Sequence, residues 1–138
     1  MNHSGIEHKY KNMNKLKFKK PNKKVSKTAL KKRADKLFSL LVRSIGYCQA
    51  EGRTGIKCGG PLQACHIVTR SNLRLRYTTW NCVCLCSGHH SYFHRNPLDF
   101  IEFIATYYPE KLDFVQTHRY EITKMTPESY EKVIEAMT

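Results

Sequence analysis

The chain has 138 residues, a length typical of one domain with a modest core. It carries 24 Lys and Arg against 11 Asp and Glu, a net charge of +13. It has no apolar run approaching the roughly 18 residues that span a bilayer, so we expect no membrane-embedded segment. The cationic surplus favours a polyanionic partner, although a solubilising tail or a contact with anionic lipid would also explain it.

The charge is concentrated at the N-terminus. The first 36 residues contain 13 basic and two acidic side chains, whereas the remainder is close to neutral. Residues 1–26 are rich in Lys and Asn with only isolated apolar side chains, which predicts a basic disordered arm. The arm lacks the apolar segment of a secretory signal, so we expect a cytoplasmic protein. Its six cysteines would stay reduced and serve as metal ligands or small core residues.

Residues 27–46 are predicted to form a helix, with Ser26 or Thr28 as N-cap and Gly46 as C-cap. Apolar side chains recur at three- and four-residue steps and define one face, namely Leu30, Ala34, Leu37, Phe38, Leu41, Val42 and Ile45. The other face is mostly basic and could either follow phosphates or remain solvated; it includes Lys31, Lys32, Arg33 and Lys36.

The central segment, residues 47–97, predicts two strands and a helix. Glycines and a proline mark residues 47–61 as a loop. Residues 62–68 and 82–86 have the apolar character of short strands, and a helix should follow from Ser87 to Arg95. The connection between the strands contains three arginines that could contact phosphate or simply remain solvated: Arg70, Arg74 and Arg76.

Residues 98–138 predict a helical extension that packs on this centre. Asn96 should cap a helix that begins at Pro97, because proline suits the first helical position. Its inward side chains would be Leu98, Ile101 and Ile104. Further helices should follow Pro109 and Thr126, the last with an apolar face of Tyr130, Val133, Ile134 and Met137. The predicted fold class is therefore α+β.

Four polar side chains in the central segment could carry chemistry. His90 and His94 are four residues apart, so on a helix they share a face and could hold one divalent ion. His66 ends the first predicted strand, where an imidazole could act as a general base or lie satisfied in the core. Asn81 precedes the second strand and could fix the backbone or the ring of His66, or mark only a turn. Trp80 and Tyr77 are expected in the core.

The order His66, Asn81, His90, His94 resembles that of the HNH nucleases, whose ββα-metal fold is two strands and a helix. The stretch Asn81-Cys-Val-Cys-Leu-Cys-Ser-Gly-His-His-Ser-Tyr-Phe-His94 is similar to the family segment in which Asn is followed by Leu-Cys-x-x-Cys-His-x-x-x-His. The histidine pair lies nine and thirteen residues after Asn81, as in the colicin nucleases. The resemblance covers about residues 46–97 and implies a treble-clef-like core within an HNH nuclease domain at 27–138.

Carried over by position, the resemblance makes His66 the general base and Asn81 the residue that orients it. His90 and His94 become ligands of one catalytic divalent ion, which could be Mg²⁺, Mn²⁺, Ni²⁺ or Zn²⁺. Cys65 stands where the family often has a metal-binding Asp or His. A thiolate suits Mg²⁺ poorly, and adjacent strand residues face opposite sides, so Cys65 is either a ligand or a bystander.

Members of this family often carry a structural zinc ion held by two cysteine pairs. Here Cys86 and His89 would form one pair, with His89 where a cysteine is usual. Cys58, followed by two glycines, would begin the other pair, and Cys48 is the best fourth ligand. A Cys₃His set is a legitimate structural zinc site. Cys82 and Cys84 are expected in the core, but either could replace Cys48.

The resemblance implies a metal-dependent endonuclease that hydrolyses DNA and leaves 5′-phosphate and 3′-hydroxyl ends. One chain carries one such site, so a double-strand break would require a homodimer or two successive nicks. The stretch from Cys65 to Tyr77 is also similar to phage recombination nucleases of the NinG type, which act on branched DNA in the host cytoplasm. The alternative is a non-catalytic zinc-containing module that only binds nucleic acid.

Overall fold

The structure, a computed structural model, describes residues 24–138, so the first 23 residues of the predicted basic arm lie outside the described residues. The described part is α+β, with five α-helices and one two-stranded antiparallel sheet. The elements in chain order are α1 (Lys27–Arg43), β1 (Leu62–His66), β2 (Cys82–Cys86), α2 (Ser87–Arg95), α3 (Pro97–Tyr107), α4 (Pro109–His118) and α5 (Pro127–Met137). Within residues 24–138, no helix combines the length and apolar character needed to cross a membrane.

Helix α1 begins where the sequence predicts and ends earlier. The Ser26 hydroxyl caps it by accepting a 3.2 Å hydrogen bond from the backbone N–H of Ala29. The helix ends at Arg43, and Gly46 lies beyond it with a φ of 86°. Its buried side chains are Leu30, Ala34, Phe38 and Val42. Leu41 and Ile45, predicted on the same face, are exposed. The buried stripe contains only one residue per helical turn, which excludes Leu41, and Ile45 lies beyond the end of the helix.

The two strands form a hairpin-like pair whose two faces pack against different helices. Ala64 pairs with Cys84, and His66 pairs with Cys82. On this face, Cys82 and Cys84 pack against α1 and confirm their prediction as core residues. The alternate side chains face the opposite way and join the aromatic core built from α2 and α3, through Cys65, Val83 and Leu85. The sheet therefore lies between α1 on one side and the α2 and α3 helices on the other.

Helix α3 buries a different stripe from the one predicted. Leu98 is 83% exposed and Ile101 is 42% exposed, whereas Ile104 is fully buried as expected. Phe100 and Phe103 face inward instead. The aromatic side chains are buried in place of Leu98 and Ile101 because they fill the core beside Phe93 of α2. The ring of Phe93 lies 5.2 Å from that of Phe100 and 5.1 Å from that of Phe103.

Asn96 joins α2 to α3 without capping α3 through its side chain. Its Nδ2 donates instead to the backbone carbonyl of Tyr92 at 2.9 Å, at the end of α2. Pro97 occupies the first position of α3, as predicted. Because Asn96 closes one helix and Pro97 opens the next, the turn between α2 and α3 is short and fixed in direction.

Helix α5 returns to pack on α1. The Thr126 hydroxyl accepts from the backbone N–H of Ser129 at 3.2 Å, and Ser129 reciprocates, which forms a capping box. The buried side chains of α5, Tyr130 and Ile134, form one cluster with Leu30 and Ala34 of α1. This contact fixes α1, which forms one side of the candidate site described below.

Tyr77 and Trp80 occupy different environments. Tyr77 is half-buried between Phe38 and Tyr130, with edge-on ring contacts to both, which agrees with a core position. Trp80, predicted in the core, is 48% exposed and stacks on Phe114 of α4. The three-residue 3₁₀ turn Thr79–Asn81 turns Trp80 outward while Asn81 is directed inward.

Candidate functional site

The junction between β2 and α2 gathers four metal-binding side chains. Cys86 ends β2 and is also the N-cap of α2, so its sulfur accepts from the backbone N–H of His89 at 3.4 Å. Cys48 and Cys58 come from the loop before β1. The sulfurs of Cys48, Cys58 and Cys86 lie 3.6, 3.5 and 3.2 Å from His89 Nδ1. All four ligand atoms lie within 4.8 Å of one another, so the group could hold a structural metal ion such as zinc.

The distances match the chemistry of a tetrahedral zinc site. In tetrahedral geometry, zinc at about 2.3 Å from sulfur and about 2.0 Å from nitrogen would separate those two atoms by about 3.5 Å. The opposite ring nitrogen, His89 Nε2, donates to the Thr54 hydroxyl at 2.6 Å and so leaves Nδ1 available as a ligand. Such an outer hydrogen bond fixes the tautomer and direction of a metal-binding imidazole. Thr54 carried no signal in the sequence.

The loop around Cys58 packs directly onto the N-terminus of α2. Gly59 accepts from the backbone N–H of Gly88 at 3.0 Å, and Pro61 accepts from that of Ser87 at 2.8 Å. Gly60 has a φ of 82°, and a Cβ at that position would collide with the Ser87 side chain. The glycine is required by this close approach, which brings Cys58 to the cluster.

The sulfur of Cys86 is poised to act as a thiolate. Burial alone would raise its pKa, but neighbouring backbone N–H groups of His89 and Gly59 outweigh burial and lower the pKa of Cys86 to about 6. Metal ligation requires the thiolate form. Cys82 and Cys84 lie outside the cluster, in the core on the α1 side of the sheet, so Cys48 is the fourth member of the group.

A second group of histidines lines one cavity between β1, α1 and α2. This imidazole pocket encloses about 500 Å³, and its histidines are His66, His90 and His94. His66 comes from the end of β1, and the other two come from successive turns of α2. The remaining lining side chains are Asp35, Lys36, Phe38, Ser39, Ala64, Thr69, Arg70 and Arg76. The imidazole of His66 thus shares one cavity with the His90–His94 pair of α2, beside the cationic side chains of Lys36, Arg70 and Arg76.

The ring of His66 is held in one tautomer. Its Nε2 lies 3.0 Å from the backbone carbonyl of Arg76, and a carbonyl only accepts, so Nε2 carries the proton. Nδ1 is therefore the basic nitrogen. Burial lowers the pKa of His66 below 6.5, and the charges of Arg70 and Arg76 lower it further. These effects favour the neutral imidazole, which is the form that can accept a proton.

His90 is oriented by Gln63 of β1. His90 Nδ1 donates to Gln63 Oε1 at 2.8 Å, which leaves Nε2 with the lone pair that a metal ion requires. Burial, and then the neighbouring His94, lower the pKa of His90 below its ordinary value. His94 is more exposed than His90 and lies one turn later on the same face. Gln63 was missed by the sequence analysis because it lies 27 residues from its partner.

Asn81 acts on the backbone beside His66 and does not hydrogen-bond its ring. The buried amide accepts from Val68 N–H at 2.7 Å and donates to the carbonyls of Val68 and Leu75 at 2.9 and 3.1 Å. Its own carbonyl accepts from Ile67 N–H at 2.8 Å. Asn81 thereby holds both ends of the loop that follows His66. The sequence left open whether Asn81 fixes the backbone or the ring of His66, and this geometry corresponds to fixing the backbone.

Cys65 does not line the imidazole pocket. Strand alternation turns it to the opposite face of the sheet from His66, where it is 5% exposed and packs in the aromatic core. Burial raises the pKa of Cys65 to about 12, so it is a neutral thiol at pH 7. Of the two alternatives left by the sequence, this position corresponds to the bystander.

The three arginines of the loop have different environments. Arg76, 7% exposed, makes two hydrogen bonds to the Asp35 carboxylate, at 3.0 and 2.7 Å, and a third to the Arg70 carbonyl. Arg70 also contacts Asp35 at 3.0 Å, but its side chain is exposed at the pocket. Arg74 pairs with Glu121 at 2.6 Å and does not line the pocket. Among the three, Arg70 is best placed to meet a ligand there.

Asp35 of α1 joins this network to the histidine. Burial tends to raise the pKa of Asp35, but hydrogen bonds from Arg76 and Tyr77 and the charge of Arg70 lower it overall. The carboxylate is therefore ionised at neutral pH and holds Arg76, whose carbonyl in turn holds His66. Asp35 was not among the residues predicted to act in the site. Its one signal was that it is an acidic residue within a basic helix segment.

The basic face of α1 reaches the pocket through Lys36. Lys36 and Ser39 line the cavity, whereas the three residues predicted to contact DNA do not: Lys31, Lys32 and Arg33. Lys32 and Arg33 are exposed, and Lys31 lies beside α5 in a separate depression. The helix turns by about 100° per residue, so only one edge of its basic face meets the imidazoles.

Comparison of the chain with protein-family models, with curated proteins and with solved structures finds no match.

Replacing Cys48 with alanine tests the composition of the metal cluster. The Cys48→Ala variant should lose bound zinc, because a site with three remaining ligands binds zinc more weakly than the closed Cys₃His set. It should also unfold at lower temperature, since binding energy at such a site is folding energy. The measurement is zinc per chain by elemental analysis, with thermal unfolding followed by circular dichroism.

The matched control is Cys84→Ala, which removes a cysteine that is equally buried but lies outside the cluster. This variant should lose stability through its cavity while retaining one zinc per chain. Full zinc content in Cys48→Ala, or zinc loss in Cys84→Ala alone, would contradict the ligand set.

Proposed function

We propose that the chain is an HNH-type endonuclease that hydrolyses phosphodiester bonds in DNA with one catalytic divalent ion. The observation that carries the proposal is the single cavity shared by His66, His90 and His94. Their order and spacing resemble the HNH nucleases, and the order of elements β1, β2 and α2 agrees with a ββα-metal, treble-clef-like core. The Cys₃His group would be the structural zinc site of that core.

His66 is the general base in this proposal. Its Nδ1 makes no hydrogen bond to any of the described residues, and burial lowers the pKa of the ring, which favours the neutral form. A water molecule beside Nδ1 would give its proton to the ring as its oxygen attacks phosphorus. Asn81 and Asp35 support this step by holding the loop and the Arg76 carbonyl that orient the ring.

His90 and His94 would hold the catalytic ion. Among residues 24–138, only the Cys₃His group brings three or more ligand atoms close enough to share one ion. At the His90–His94 pair, the protein would therefore supply two ligands, both imidazoles. That leaves several positions open for water and phosphate, as an ion that acts on a substrate requires. A divalent ion there would offset charge on the phosphate and on the departing 3′-oxygen. Imidazole ligands suit Ni²⁺ and Zn²⁺ better than Mn²⁺ or Mg²⁺.

The cationic wall of the pocket supports a phosphate substrate. Arg70 and Lys36 line the cavity with exposed charges, and the one carboxylate in its lining, Asp35, is already engaged by arginines. The net charge of +13 supports DNA as the partner. DNA bound through phosphates would dissociate steeply as salt increases, because neutralised phosphates release counterions.

Replacing His66 with alanine separates a nuclease from a module that only binds nucleic acid. His66→Ala should abolish nicking of supercoiled plasmid in Mn²⁺, Ni²⁺ or Mg²⁺, with a loss of at least about 100-fold, because the general base is removed. DNA affinity and zinc content should be nearly unchanged. The assay follows conversion of supercoiled to open-circular plasmid, with branched and single-stranded DNA as further substrates.

The matched control is His118→Ala, which removes a histidine that lies on α4 outside the pocket. This variant should cleave like the wild type. Undiminished cleavage by His66→Ala would refute its role. Salt-sensitive DNA binding by a wild-type chain that cleaves nothing would favour the non-catalytic module, which the charge and the cysteine cluster would also fit.

The pH dependence of cleavage should report the low pKa of His66. Because burial lowers that pKa from the ordinary histidine value of 6.5, kcat/KM should change little between pH 8 and 7. Below that range the ring gains a proton and cleavage should decline. The measurement is kcat/KM at saturating metal, with circular dichroism at each pH to monitor folding. An acidic limb centred above pH 6.5 would contradict this assignment.

A further inference from the structure

A second cavity lies on the other side of the α2 histidines. This outer cavity encloses about 420 Å³, and its lining comprises Gln63, Ser87, His90, Ser91, His94 and Arg95. His90 and His94 also line the imidazole pocket, so the two cavities meet at these rings. Because they share these two side chains, we treat the two cavities as one groove, here called the strand groove, lined by residues of α1, β1 and α2.

The strand groove is cationic at both ends. Lys36 and Arg70 lie in the imidazole pocket, and Arg95 lies in the outer cavity. Within residues 24–138, Lys36 and Arg95 belong to no ion pair, whereas Arg70 is shared with Asp35. Of the residues 24–138 that line either cavity, only Asp35 carries a carboxylate, and it accepts from two arginines. Both ends of the groove therefore offer a positive charge, that of Lys36 or Arg95, that no acidic side chain of the described part neutralises.

The middle of the groove has a different character. Its side chains include the imidazoles of His66, His90 and His94, which carry no permanent positive charge as Lys36 and Arg95 do. Hydroxyl groups line both sides, from Ser39 and Thr69 in the imidazole pocket and from Ser87 and Ser91 in the outer cavity. The groove thus has cationic side chains at its ends and imidazoles and hydroxyls between them. A ligand with negative charges at intervals, and with a reactive centre between them, fits this arrangement better than one compact anion.

We propose that the strand groove binds one sugar–phosphate strand of nucleic acid, with Lys36 and Arg95 contacting phosphates on opposite sides of the reacting one. This inference rests on the proposed function and adds the path of the substrate. It assigns binding to Lys36 and Arg95 and leaves Lys32, on the same helix as Lys36, out of contact. Arg95 was not singled out from the sequence, where it is only the last residue of a short helix.

The test measures DNA binding separately from cleavage. Lys36→Ala and Arg95→Ala are each placed in the His66→Ala background, and affinity for a fluorescent 20-nucleotide strand and its duplex is measured from low to high salt. Each substitution should weaken binding about five- to tenfold at low salt and reduce the slope of log K against log salt by about 1. Lys36→Gln and Arg95→Gln should behave similarly, and unchanged zinc content and melting temperature would show intact folding.

The matched control is Lys32→Ala, which removes an exposed charge one turn from Lys36 that lines neither cavity. It should leave the slope unchanged. Equal losses in Lys32→Ala, Lys36→Ala and Arg95→Ala would overturn the groove, because they would indicate diffuse electrostatic attraction. A loss of DNA affinity in only one of the two groove variants would overturn the proposal that the strand crosses α2. An absence of DNA binding by the parent His66→Ala chain would also overturn it.

Failure of the groove and failure of the nuclease proposal have different signatures. If the wild type nicks plasmid and both groove variants bind normally, the groove is wrong and the nuclease proposal stands. If the wild type cleaves nothing while both variants lose affinity and salt slope, the groove is a nucleic-acid site without the proposed chemistry. The plasmid assay is read on the wild-type chain, so it does not depend on either groove residue.

Discussion

The attachment of the N-terminus of α2 to the loop before β1 is the constraint on which the site depends. Cys86 and His89 bring two ligands from α2, and the loop brings Cys48 and Cys58. His90 follows His89 directly, so fixing one ring at the cluster fixes the direction of the next along the helix. A helix of nine residues would be marginal by itself in water. A metal bound at this cluster would therefore hold the histidines that face the pocket as well as the fold.

The second requirement is the contact between α1 and the loop after β1. Asp35 collects hydrogen bonds from Arg76, Tyr77 and Arg70, and the Arg76 carbonyl holds the His66 ring. Removing one partner of a largely buried ion pair typically lowers folding stability by more than the intact pair contributes to it, because the other charge is left buried and uncompensated. The network therefore holds Arg76 in place in the lining of the imidazole pocket while leaving the side chain of Arg70 accessible. Helix α1, outside the stretch that resembles the HNH nucleases, thus forms part of the pocket.

Local signals in the sequence predicted the elements well and their packing less well. The Ser26 cap, both strands and α2 follow from nearby residues. The face of α3 could not be predicted because Leu98, Phe100, Ile101, Phe103 and Ile104 offer two apolar stripes, and only the position of Phe93 selects one. The His90–His94 pair was visible as helical spacing, whereas the Cys₃His group was predicted through the resemblance to the HNH nucleases. Their supporting partners, Asp35, Gln63 and Thr54, lie 27 to 41 residues from the groups they hold, beyond any local pattern.

The most direct test of the account is whether a second divalent ion binds between His90 and His94. Mn²⁺ added to the zinc-loaded chain should broaden the imidazole NMR signals of His90 and His94 first, because paramagnetic broadening falls steeply with distance. The signals of His66 should broaden next, and those of His118, which does not line the pocket, should broaden least. Broadening centred on His118, or sharp His90 and His94 signals at saturating Mn²⁺, would contradict a catalytic ion at this site.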